Sequence, residues 1–217
     1  YNVKLNYSKN YRVPTFNDLY WYAGGNINLK AETVHQYEIT NEFQYKAFQF
    51  QVAGYYNDFQ NLLKWSPNES GYWTPENVEN VQSYGAEFSV NFKQNFKAFQ
   101  IESTTNYSYT KSVDEKTQKQ LIYVPYHKFT SNWNFNYHRV SFNYQMVFNG
   151  AVFTSSDNSF FLKEHTVSNV SLYYLFGKQK NIILSVSANN VENRYYENLP
   201  SRPMPGRYYT TSLIFNL

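Results

Sequence analysis

Apolar and polar residues alternate along most of this chain. Val78, Tyr84, Ala86, Phe88, Val90 and Phe92 share one parity; Glu79, Ser83, Gly85, Glu87, Ser89 and Asn91 hold the other. Val140, Phe142, Tyr144, Met146 and Phe148 repeat the pattern against Ser141, Asn143, Gln145 and Asn149. In extended backbone successive side chains point to opposite faces, so each such run is a strand with one greasy and one polar face. Ten runs qualify: 1–11, 33–46, 48–64, 77–92, 98–111, 125–137, 140–151, 166–176, 181–192 and 207–217. The connections alternate in length. Short ones fall at Lys46-Ala47, Lys93–Lys97, Tyr137–Val140 and Gly177–Lys180; long ones at 12–32, 65–76, 112–124, 152–165 and 193–206.

Strict alternation of short and long turns predicts an all-β, antiparallel, up-and-down transmembrane barrel with long extracellular loops. A soluble sandwich or closed barrel also has period two, but ordinary strands average about 5–6 residues. A tilted membrane strand needs about 9–11. Aromatics gather near segment ends (Tyr7 and Tyr11, Tyr107 and Tyr109, Tyr173 and Tyr174, Tyr208 and Tyr209), as interfacial girdles require.

Composition sharpens this picture. The 217 residues include 23 Tyr, 18 Phe and 4 Trp, yet only 16% are charged, against about 25% in ordinary domains. Disordered chains lack such aromatic content. With no Cys, disulfides and thiolate metal sites are excluded. No run of about 18 apolar residues supplies a membrane helix. A net charge of +3 is too weak to point to nucleic acid. No signal peptide opens the chain, and Tyr1–Tyr7 already reads as strand, which points to a piece of a longer protein. No nucleophile elbow, Walker loop or zinc-protease motif is present, and His35, His127, His138 and His165 are dispersed; no enzyme or cofactor is expected.

Several motifs occur in an informative order. Tyr11-Arg12-Val13-Pro14 is followed by Gly25-Asn26-Ile27-Asn28-Leu29-Lys30-Ala31-Glu32, then Tyr37-Glu38, Gly85-Ala86-Glu87, Asn189-Asn190-Val191-Glu192-Asn193-Arg194-Tyr195-Tyr196 and Met204-Pro205-Gly206-Arg207. In this series the chain resembles the C-terminal part of a TonB-dependent outer-membrane receptor. Ile27 and Ala31 stand where the family pattern has Pro, Val191 where it has an aromatic, and Leu217 where it has Phe. The resemblance implies that residues 1–217 are the last ten strands of a 22-stranded plugged barrel in a Gram-negative outer membrane. The plug and the remaining strands, in the same or a second chain, would be partners; TonB–ExbB–ExbD would act through the missing part. It implies import of a scarce, bulky nutrient. Residues 15–25 lack the histidine typical of haem receptors, and Leu63–Pro67 with Gly71–Val78 is similar to receptors grouped with cobalamin transporters. Cobalamin therefore ranks ahead of a ferric siderophore, with a surface lipoprotein as a further candidate partner.

Loop aromatics are the candidate ligand contacts: Tyr20, Trp21, Tyr22, Tyr72, Trp73, Phe160, Tyr195 and Tyr196, with Arg202 for an anionic group. Rigid aromatics give large contact area at low entropy cost, although loop packing or an outer girdle would use the same residues. Glu38, Glu42, Glu87 and Glu102 fall on the inward parity, where they would line a route or be satisfied across the lumen. Two other classes stay open. A small outer-membrane barrel enzyme would draw on Asp157 and His165; a structural or adhesive barrel would carry no cargo.

Overall fold

The computed structural model describes residues 1–177 and 181–215; the expected Gly177–Lys180 turn in part, the strand end at Asn216 and Leu217, and the Glu79 side chain lie outside them. One antiparallel sheet of ten strands dominates. Its members are β1 (Asn2–Arg12), β2 (Glu32–Tyr45), β3 (Phe48–Pro67), β4 (Trp73–Phe96), β5 (Phe99–Asp114), β6 (His127–Tyr137), β7 (Val140–Asn149), β10 (His165–Phe176), β11 (Ile182–Asn189) and β14 (Tyr208–Phe215). Each pairs with its neighbour in chain order, and β1 and β14 form the two edges. All ten expected segments are strands. Between them lie a helix, α1 (Phe16–Tyr20), and two ribbons, β8 (Val152–Phe153) with β9 (Phe161–Leu162) and β12 (Glu197–Leu199) with β13 (Arg202–Pro203).

The two faces invert the usual burial. On one face Ile39 (45%), Val52 (47%), Leu172 (51%) and Leu213 (54%) stand open, while the opposite face buries Thr40 and Ser185. A sheet this greasy on its exposed side suits an apolar solvent. Hydroxyls on the greasy face are tied to neighbours. Trp133 Nε1 donates to Ser131 Oγ at 2.9 Å, Thr105 and Ser131 share a hydrogen bond at 2.9 Å, and Tyr144 Oη meets Ser168 Oγ at 3.2 Å. Pairing of this kind removes the cost of polar atoms away from water.

At one end the turns are tight, with Lys46, Lys97 and His138 in the left-handed region at φ 52°, 51° and 52°. At the other end the connections are long, with one departure from expectation. Residues 65–76 are not a long loop. β3 and β4 keep one register from Phe48↔Phe92 to Pro67↔Trp73, leaving a turn of only 68–72. Trp65, Pro75 and their neighbours carry no period-two signal, but their backbones still pair along an established ladder.

Candidate functional site

The long-connection end is organised around α1. Thr15 caps the helix: its Oγ1 accepts from Asp18 N at 3.2 Å, and Asp18 Oδ2 accepts from Thr15 N at 2.8 Å. This reciprocal capping box lets five residues hold a helical turn. It also aims the Asp18 carboxylate at β3, where Trp65 Nε1 donates to Oδ1 at 2.8 Å. The Thr15 amide, then Trp65 and the nearby Arg12 charge hold Asp18 below its usual pKa, against the opposing effect of burial. The helix exit is closed by the Gly24 and Gly25 amides on Trp21 O, at 3.1 and 2.7 Å. A Cβ at Gly25 would lie 2.5 Å from Trp21 N, so only glycine fits this turn.

The rest of the first loop is fastened to the β3–β4 hairpin by the motif residues themselves. Arg12 Nη2 donates to Leu63 O at 3.0 Å, and Glu32 Oε2 accepts from Leu63 N at 2.8 Å. Asn26 Nδ2 donates to Pro75 O at 3.3 Å. Asn77 Oδ1 accepts from Lys30 N at 2.8 Å and its Nδ2 donates to Lys30 O at 3.1 Å. Arg12, Asn26 and Glu32 thus act as architecture, docking loop on hairpin.

The docking leaves a cavity of 420 Å³ lined by Asn17, Trp21, Ala23, Trp65, Tyr72 and Trp73. Three sequence candidates, Trp21, Tyr72 and Trp73, meet there. Tyr20 sits beside it, stacked on Phe16 at 6.1 Å, and Tyr22 is fully exposed. The others are placed elsewhere. Phe160 rides on the β8–β9 turn, where its amide donates to Ser155 Oγ at 3.0 Å and Asp157, held at a pKa of about 2 chiefly by Ser155, knits the turn together. Tyr195 donates to Glu197 at 2.8 Å, and that bond and charge raise its phenol above the usual range. Tyr196 stacks on His165 at 4.4 Å, and Arg202 is exposed on β13. Sequence reasoning did not count Trp65, Asn17 or Ala23 as contacts. The Thr15–Asp18 capping pattern was the available signal for the helix that positions two of them.

Farther along the polar face is a second cavity, of 280 Å³, lined in part by Gln51, Glu87, Asn106 and Lys128. Glu42 and Glu102 are met by Lys4 at 2.5 Å and Lys93 at 2.6 Å, and Glu38 accepts from Thr40 at 2.8 Å. Gly85 is required here. Tyr55 crosses over it to reach Thr110 Oγ1 at 2.7 Å, and a Cβ would lie 2.0 Å from Tyr109 O. The later motif is likewise structural. The Asn190 side chain bonds Arg194 N and O and Pro205 O at 2.8 to 3.1 Å, and Asn193 Oδ1 accepts from Arg207 N at 2.8 Å.

The profile of the family described as TonB dependent receptor-like, beta-barrel matches residues 1–191. The chain belongs to the TonB-dependent receptor β-barrel family. Barrels of this family reside in the Gram-negative outer membrane. Among curated relatives, the vitamin B12 transporter BtuB of Photobacterium profundum is 28% identical over 178 residues, covering 79% of this chain and 28% of that protein. The BtuB of one Vibrio vulnificus strain is 36% identical over 84 residues, covering 38% of this chain and 14% of that one. Among solved structures, the copper transporter OprC superposes with a TM-score of 0.80 at 14% identity, over 98% of this chain and 36% of that one. The siderophore receptor PirA from Acinetobacter baumannii gives 0.76 at 18%, over 98% and 38%. The alignment to the Photobacterium protein and these two superpositions span about a quarter to two-fifths of the length of each of those proteins.

Proposed function

We propose that this chain forms wall and extracellular loops of an outer-membrane receptor that imports a scarce, bulky nutrient with TonB-derived energy, cobalamin ahead of a ferric siderophore. The observation that carries the reading is the docked loop-on-hairpin unit, which holds Trp21, Tyr72 and Trp73 around one cavity at the long-loop end. An aromatic cavity on the outer side is what capture of a dilute solute needs. The vitamin B12 transporters among the relatives support cobalamin; the copper and siderophore proteins, at 14% and 18% identity, speak for the fold only. Plug, remaining strands and TonB–ExbB–ExbD are the partners this function requires, and a surface lipoprotein is an optional one. Transport needs no bond-breaking residues, in keeping with a non-enzymatic role.

The test is energised uptake. Cells carrying the complete receptor should accumulate radiolabelled cyanocobalamin or a ferric siderophore, and deletion of tonB should abolish accumulation. Unchanged accumulation without TonB would refute the importer.

A further inference from the structure

We propose that the β8–β9 ribbon is a latched flap: Asn158 at its tip hooks the backbone of Gln120, and release of that hook lets the ribbon swing as one piece away from the β5–β6 connection, residues 115–126. The inference stands apart from the importer reading, since it needs neither a cargo nor TonB. Asn158 Oδ1 accepts from Gln120 N at 3.0 Å, and Asn158 Nδ2 donates to Gln120 O at 2.9 Å. One side-chain amide thus supplies the two bonds that a strand residue exchanges with its partner in an antiparallel ladder, and it does so across 38 residues of sequence. A further bond lies beside this pair: Tyr123 N donates to Phe153 O at 2.9 Å.

The post that Asn158 hooks is fixed to the wall. Gln120 is only 3% exposed. Its Oε1 accepts from Ser112 N on β5 at 2.9 Å, its Nε2 donates to Val124 O at 3.2 Å, and its backbone bridges Val113. Next to it, Leu121 N donates to Ser112 O at 2.8 Å. All of these bonds join segments of this chain, and further strands of the receptor would add to the burial of Gln120. A buried backbone pair that loses its partner is costly, so the hook is worth most where it sits.

The arm is braced from within. Val152 pairs with Leu162 and Phe153 with Phe161, and Thr154 N donates to Phe160 O at 2.9 Å. At the tip Asp157 Oδ1 accepts from Ser155 Oγ at 2.6 Å and from Ser159 N at 3.1 Å, and Asn158 N donates to Ser155 O at 3.0 Å. Asn158 stands at φ 61°, a conformation that Asn takes more readily than most residues. At the base the ribbon joins β7 and β10 through Ala151 on one side and Lys163 and Glu164 on the other, none of them in a strand. A braced arm, hooked at its tip and joined through irregular backbone at its base, is the geometry of a hinged element. Val152 and Leu162 of the arm, with Tyr123, line one side of a 230 Å³ cavity that also borders Lys128, Asn149 and His165; swinging the arm away opens it.

The experiment is residue-resolved amide hydrogen exchange on the complete receptor purified in detergent, comparing wild type with N158G. Glycine keeps the left-handed backbone at this position and removes the amide. The amides of Gln120 and Tyr123 should each exchange about tenfold faster in N158G. Thr154, bonded within the arm, and Leu121, bonded to the wall, should keep their wild-type rates. Tyr123 decides the matter: the substitution does not touch its bond to Phe153, so faster exchange there reports the arm leaving as a whole. Unchanged exchange at Tyr123 overturns the latch. Equal acceleration at Thr154 or Leu121 overturns the flap, because the segment then melts instead of swinging. Should N158G fail to assemble, N158D stands in; it keeps the acceptor and loses the donor, and the same pattern is expected at about threefold. Either failure leaves the importer reading intact, since loss of uptake without TonB tests that separately.

Discussion

Asp18 couples a local turn to a distant strand. One carboxylate accepts from Thr15 within the helix cap and from Trp65, 47 residues away. Its pKa is lowered in the folded chain, so its contribution is complete above the ordinary carboxylate value of 3.8 and is lost as pH falls through the lower folded value. Acidification below that range should therefore release α1 from β3, read as a change in Trp65 emission, and D18N should show the released signal at neutral pH. Gly85 makes a second prediction at this scale. G85A drives a methyl group into the Tyr109 carbonyl, which should cost more than about 2 kcal/mol, measured as a lowered urea midpoint in detergent. Asn190 is 3% exposed and serves three backbone partners; N190A should cost about 1–3 kcal/mol by the same measurement. The motifs carrying Arg12, Asn26, Glu32, Gly85 and Asn190 were visible in the sequence, but their roles were not, because each acts on backbone brought near only by folding.

Among the elements, strands were legible because one solvent acts on each face and imposes period two. That same requirement predicts the cost of a charge. L172R places a guanidinium mid-strand on the greasy face of β10, which should cost about 2–4 kcal/mol in a bilayer. Q51K, on the polar face opposite Glu42 and Ser89, should leave folding efficiency near wild type; heat-modifiable gel mobility distinguishes the two. Elements that answer to no such requirement escaped notice. α1 has five residues, too few for a helical period, and its stability comes from a cap and a tertiary bond. β12 and β13 are three and two residues long. The hairpin extension to Pro67 and Trp73 was read as loop because alternation fails there while backbone pairing continues. The cavity followed the same logic: its aromatics were named loop by loop, but Trp65 joins them only through contacts that link distant parts of the chain.

For the molecule as a whole, the edges matter most. β1 and β14 end the sheet without pairing to each other. Along the 11 residues of β1, outward-pointing amides and carbonyls in lipid would each cost several kcal/mol. Residues 1–217 produced alone should therefore form oligomers or aggregates in detergent, and co-production with the complementary strands of the receptor should give a single heat-modifiable species on size-exclusion chromatography. The inward carboxylates divide: Glu42 and Glu102 are satisfied within the wall, whereas Glu87 faces a cavity.

The constant register of the β3–β4 ladder has a mechanical consequence. At about 3.3 Å per residue, the 20 residues of β3 reach about 65 Å, well beyond the roughly 42 Å that a strand tilted by about 45° needs to cross a bilayer core of about 30 Å. In such a wall the surplus would project past the hydrocarbon as a paired ribbon that continues the wall beyond Tyr55 and Gly85. Because sliding by one residue would turn every side chain over, the two strands are locked against slippage from Phe48↔Phe92 to Pro67↔Trp73.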